Sequence, residues 1–127
     1  MSRARVLIAD DHRIVAEGLR RILEPEFELV EIVENGRQLV ISANKHRPDV
    51  IVADVSMPCL NGLEAVEQLR KSGCRSKVVF LTMHKDATYA ARALRSGAAG
   101  FVLKHSASHD LLTAIRKALA GKTYVTA

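Results

Sequence analysis

"VLIADDH", residues 6–12, runs four apolar residues straight into two adjacent carboxylates, Asp10 and Asp11. An apolar run without alternation is the pattern of a strand buried on both faces, as in a parallel sheet covered by helices. Three more runs share it: "DVIVADV" (49–55), "KVVFLT" (77–82) and "GFVLK" (100–104). "FELVEIV" (27–33) instead alternates apolar and acidic residues, which suits an edge strand with one wetter face.

Segments of helical period lie between these runs. Val15, Leu19, Ile22 and Leu23 recur at helical spacing before Pro25, and Leu39, Val40 and Ala43 before Pro48. "NGLEAVEQLRKSG" (61–73) opens with Asn61 and Glu64 in a capping-box arrangement and closes on a glycine. "DATYAARALRSG" (86–97) also closes on glycine, and "SASHDLLTAIRKALAG" (106–121) starts with Ser and Asp in its first turn. Five β-α units with short connections predict an α/β fold. The expected architecture is a doubly wound, five-stranded parallel sheet of order 2-1-3-4-5, flavodoxin-like in topology.

At 127 residues the chain is long enough for one well-filled core. Residues 1–121 are assigned to that domain. "KTYVTA" (122–127) reads as the start of a connection to something further. No apolar run approaches the ~20 residues of a membrane-spanning helix, and "MSRARVLIADD" lacks the apolar segment of a signal peptide, so a cytoplasmic location without membrane contact is expected. Cys59, Cys74 and the five histidines form no metal-thiolate or zinc spacing. Residues 1–67 hold 8 Lys/Arg against 12 Asp/Glu, and residues 68–127 hold 11 against 2. With aromatics at 4% and no dense basic cluster, the positive second half reads as a solvated surface, and no nucleic-acid-binding residues are assigned.

Ligands of open α/β sheets bind beyond the carboxyl ends of the strands, near the point where the winding reverses. The first strand ends at Asp10 and Asp11, the third delivers Asp54, the fourth Thr82 and the fifth Lys104. An Asp after a strand is often only a helix cap. Here all of these residues fall on strand ends that the predicted order makes neighbours. Carboxylates gathered this closely repel one another by about 4 kcal/mol per pair at an effective dielectric near 20, so a proton or a cation has to join them. Few oxygen ligands, with water in the remaining positions, suit Mg²⁺. An anion held between Mg²⁺, the Lys104 ammonium and the Thr82 hydroxyl is most economically a phosphoryl group. Asp54 is then the nucleophile that forms an acyl phosphate, and Asp10 and Asp11 hold the metal.

These residues resemble the receiver domain of two-component response regulators from about Arg5 to Gly121. The parts that carry the resemblance are "IADDH", "DVSMPCLNG" (54–62), "LTMH" (81–84) and "GAAGFVLK" (97–104). The resemblance implies that Asp54 takes a phosphoryl group from a phosphohistidine of a sensor histidine kinase. It also implies Mg²⁺ on Asp10, Asp11, Asp54 and the Ser56 backbone carbonyl. Met57, Pro58 and Gly62 match the family's loop after the nucleophile, with Gly62 permitting a tight helix entry. Thr82 and Phe101 match the switch pair that remodels the surface of the fourth helix, fifth strand and fifth helix.

"GAAGFVLK" followed by a Ser-containing helix start is similar to the NarL/FixJ subfamily. That likeness implies an absent C-terminal helix-turn-helix domain for DNA output, and a homodimer on phosphorylation. Two departures stand out: His105 replaces the common Pro after the lysine, and Phe101 lacks the hydroxyl of the commoner Tyr.

The implied role is a signalling switch and not an enzyme that turns over an external substrate; the alternative is a stand-alone receiver acting through protein contacts. A flavin-binding flavodoxin-like protein would want a hydroxyl- and glycine-rich phosphate loop where "ADDHRIV" stands. An aspartyl-phosphate phosphatase would need a second Asp at position 56, which is Ser.

Overall fold

Each apolar run forms a strand, and its odd and even residues serve two different cores. In the computed structural model, which describes residues 3–55, 57, 61–83 and 87–125, the elements are β1 (Arg5–Ala9), α1 (Arg13–Leu23), β2 (Glu28–Val33), α2 (Gly36–His46), β3 (Val50–Asp54), α3 (Gly62–Lys71), β4 (Lys77–Thr82), α4 (Ala87–Arg95), β5 (Gly100–Leu103), α5 (Ala107–Leu119) and β6 (Tyr124–Val125). Leu7, Ala9, Ile51, Ala53, Val78 and Phe80 pack with Leu39, Leu63, Val66 and Leu69 of α2 and α3. Val6, Ile8, Val50, Val52, Val79 and Leu81 face the other way, onto Leu19 and Leu23 of α1 and Leu111 and Ile115 of α5. Residues of β1, β3 and β4 are therefore buried whichever way they point, which accounts for the missing alternation.

All strand pairs are parallel, in the order β2-β1-β3-β4-β5-β6. The expected 2-1-3-4-5 order holds, but the expected strand count is corrected from five to six. Tyr124 and Val125 pair with Gly100 and Phe101, and the Tyr124 amide donates to the Ala99 carbonyl at 2.9 Å. The turn that allows this is at Gly121, whose φ of 79° is left-handed backbone that favours glycine. A two-residue strand carries no periodic pattern, so it cannot be read from "KTYVTA".

A side-chain bond holds β6 in place: Tyr124 Oη donates to Asp110 Oδ1 of α5 at 2.8 Å. That bond, with partial desolvation, raises the Tyr124 phenol above its ordinary pKa. In a Tyr89→Phe background Tyr124 is the only tyrosine, and Asp110→Asn is expected to bring its phenolate absorbance in at lower pH than in the Asp110 parent. Coincident titration curves would mean the bond is absent in solution.

The capping box at the start of α3 forms as expected, with the Glu64 amide donating to Asn61 Oδ1 at 2.9 Å and the Asn61 amide to Glu64 Oε1 at 3.3 Å. Ser106 stands at the N-cap of α5 but makes no side-chain capping bond, because residues Lys104–Ser106 form a 3₁₀ turn that leads into the helix.

Candidate phosphoryl-acceptor site

The winding reverses between β1 and β3, so the carboxyl ends of these two strands open the crevice where a ligand of this fold binds. Asp10 follows β1 and Asp54 ends β3. Asp10 is fixed at both its backbone and its side chain. Its amide donates to the Val33 carbonyl at 2.9 Å, and its Oδ1 accepts the His12 amide at 2.8 Å. Asp10 therefore shapes the turn into α1, but the N-cap position itself belongs to His12. The other oxygen, Oδ2, is buried, accepts no hydrogen bond and faces the Lys104 ammonium at 3.1 Å.

Asp10, Asp11, His12 and Asp54 each bring one ligand atom to a single spot, all within 4.8 Å of one another. Asp10 and Asp54 are buried and Asp11 is exposed at the rim. Lys104 closes the cluster from the turn after β5, its Nζ donating to Asp54 Oδ2 at 2.9 Å. Burial alone would lower the Lys104 pKa, but the Asp54 and Asp10 carboxylates outweigh it and the value is raised. The Lys104 ammonium thus stands against the Asp54 and Asp10 carboxylates and offsets part of the repulsion within the cluster. Carboxylate oxygens without thiolate, gathered within 4.8 Å of one another, fit a small hard dication.

The remaining predicted residues are distributed around this cluster. Thr82 is buried at the carboxyl end of β4, next to β3 in the sheet. Phe101 is buried in β5, opposite Phe80 on one side and Val125 on the other. Met57 is buried, while Ser56 and Pro58 lie outside the described residues.

Gly62 begins α3 and donates its amide to the Val55 carbonyl at 2.9 Å. Its place is set by crowding: a Cβ there would lie 2.2 Å from the Asp54 carbonyl oxygen. His12 was not among the sequence-derived site residues. Its Nδ1 lies 3.2 Å from both Asp10 Oδ1 and Asp11 Oδ1, and 3.9 Å from Asp54 Oδ2. The signal that could have found it is its position directly after two site carboxylates.

Residues 6–116 match the response regulator receiver domain family, and the chain belongs to it. Its relatives are regulators of the NarL/FixJ type. It is 37% identical to the transcriptional regulatory protein DegU of Brevibacillus brevis over 98% of this chain and 53% of that protein. To the oxygen regulatory protein NreC of Staphylococcus haemolyticus it is 36% identical, over 95% of this chain and 57% of that one. The crystal structure of a LuxR-family two-component response regulator from Aurantimonas sp. SI85-9A1 superposes with a TM-score of 0.91 at 33% identity, covering 97% of this chain and 89% of that one. The chain spans about half the length of the curated relatives it matches. Among the described residues, no helix is long and apolar enough to cross a membrane.

Proposed function

We propose that the chain is the phosphoryl-accepting switch of a two-component system, with Asp54 as the acceptor. The observation that carries this reading is the Asp54 carboxylate, buried at a strand end, held by Lys104 at 2.9 Å and grouped with Asp10 and Asp11. Asp10, Asp11, Asp54 and the Ser56 carbonyl are the residues that would hold Mg²⁺. A bound Mg²⁺ supplies charge neutralisation to the phosphoryl oxygens as they approach three acids.

An Asp54 oxygen attacks phosphorus of a phosphohistidine on a sensor histidine kinase. The new O–P bond forms as the N–P bond breaks, and the electron pair leaves on the imidazole. Lys104 shifts from pairing the carboxylate to pairing a phosphoryl oxygen, and the Thr82 hydroxyl donates to another. Met57, Pro58 and Gly62 fix the loop that follows the nucleophile.

The dianion on Asp54 then biases Thr82 and Phe101, and through them the surface of α4, β5 and α5, towards a homodimer. The expected domain boundary at residue 121 moves outward, because Tyr124 and Val125 pair with β5, and the segment that includes them would lead on to a DNA-binding output domain in the cytoplasm. The name of DegU, a transcriptional regulatory protein, supports that output.

Incubation with Mg²⁺ and a small acyl-phosphate donor is expected to add one phosphoryl group by intact mass, to need the divalent ion, and to fail in Asp54→Ala. An adduct of equal yield in Asp54→Ala would overturn the assignment.

A further inference from the structure

We propose that His12 is a nitrogen ligand of the divalent-ion site and tilts its selectivity towards borderline transition-metal ions. The inference rests on the reading that the acidic pocket holds a divalent ion, and it concerns which ion the pocket favours. Two donor atoms that share one small dication at about 2.1 Å lie about 3.0 Å apart when adjacent and about 4.2 Å apart when opposite. His12 Nδ1 meets both conditions, at 3.2 Å from Asp10 Oδ1, 3.2 Å from Asp11 Oδ1 and 3.9 Å from Asp54 Oδ2.

The ring is held in this position by its own backbone. The His12 amide donates to the same Asp10 carboxylate at 2.8 Å, which ties Cα to the ligand that the ring would share. The side chain is 60% exposed, so Nε2 can carry the ring proton into water and leave the Nδ1 lone pair facing the carboxylates. Lys104 Nζ, 3.5 Å away, can only donate, which is compatible with a lone pair at Nδ1.

A nitrogen donor changes the chemistry of the pocket. Carboxylate and water ligands suit Mg²⁺ and Mn²⁺, whereas imidazole raises affinity for Ni²⁺, Zn²⁺ and Fe²⁺. Mg²⁺ gains little from the ring, because it keeps water in the positions a protein leaves open. Every oxygen site already prefers Ni²⁺ to Mg²⁺ to some degree, so the informative quantity is how that preference changes when the ring is removed.

The test is calorimetric titration of the whole chain with Ni²⁺ and with Mg²⁺, for the wild type, His12→Ala and His12→Asn. His12 makes no side-chain capping bond to α1, so neither variant removes a helix cap, and circular dichroism checks the fold. Losing a ligand should cost at least as much as losing the partner of a ligand, so both variants are expected to weaken Ni²⁺ binding by about 10- to 100-fold. Mg²⁺ affinity should change by less than about threefold.

In a parallel titration with Zn²⁺, the ¹⁵N resonance of His12 Nδ1 should shift with the same stoichiometry as the calorimetric binding. An unchanged Ni²⁺-to-Mg²⁺ ratio, with Mg²⁺ binding intact, would overturn the role of His12 alone. It would mean that Nδ1 carries a proton and only hydrogen-bonds the two carboxylates. Equal binding of both ions by wild type and Asp10→Asn would instead overturn the acidic pocket as the ion site.

Discussion

Gly62→Ala is expected to lower the unfolding free energy by about 3 kcal/mol, the upper end of the usual cost of overpacking. The added Cβ would fall 2.2 Å from the Asp54 carbonyl oxygen, 3.1 Å from its carbonyl carbon and 3.3 Å from Cε1 of Phe80. The nearest atoms are backbone at the end of a buried strand, so relief requires either β3 or the first turn of α3 to move. Movement of α3 strains the amide bond from Gly62 to the Val55 carbonyl, and movement of β3 carries the Asp54 carboxylate with it. The variant should therefore lose both stability and the rate of phosphoryl uptake. Gly18→Ala in α1 is the matched control. Nothing lies within 4 Å of its Cβ position, and replacing a helix-interior glycine should stabilise by about 0.5–1 kcal/mol. A urea midpoint for Gly62→Ala at or above the wild-type value, with phosphoryl uptake unaltered, would contradict the steric account.

The contrast between these glycines bears on what the sequence makes legible. The parallel arrangement of the strands and the clustering of Asp10, Asp11 and Asp54 follow from patterns in the chain itself. Runs such as "VLIA" and "DVIVA" lack alternation because both faces of the sheet are covered, and this forces helical crossovers and a parallel arrangement. The acids fall at strand ends, and a parallel sheet brings all such ends to one rim.

Features that depend on lateral contacts were not legible. The sixth strand exists because Tyr124 reaches Asp110 across 14 residues and because Gly100 and Phe101 offer β5 as an edge. The sequence likewise suggests a permissive backbone for Gly62, whereas the constraint is the nearness of the Asp54 carbonyl. His12 looks like one of several scattered histidines until the Asp10 carboxylate draws its amide and its ring to the same side.

Lys104→Met should have a comparably large effect, and one that depends on divalent ions. The ammonium sits 2.9 Å from Asp54 Oδ2 and 3.1 Å from Asp10 Oδ2, and all three side chains are at most 5% exposed. Removing one partner of a buried ion pair costs about 3–5 kcal/mol, because the charge left behind has lost both its water and its counter-ion. The lower end, about 3 kcal/mol in the presence of a chelator, is expected here because Asp10 keeps the His12 backbone amide as a hydrogen-bond donor. Methionine keeps most of the side-chain volume, so the loss is electrostatic in origin and not the result of a cavity.

A dication entering the pocket replaces the missing charge. Saturating Mg²⁺, at about 100 times its dissociation constant, stabilises a protein by about 2.7 kcal/mol, which would restore most of the deficit. Mg²⁺ should also bind the variant more tightly than the wild type, in which the ammonium already satisfies Asp54 and Asp10. Thermal melts of both proteins with EDTA and across a Mg²⁺ series measure this directly. Equal stability of the two proteins in EDTA, or equal stabilisation of both by Mg²⁺, would show that the lysine and the metal do not compensate the same carboxylates.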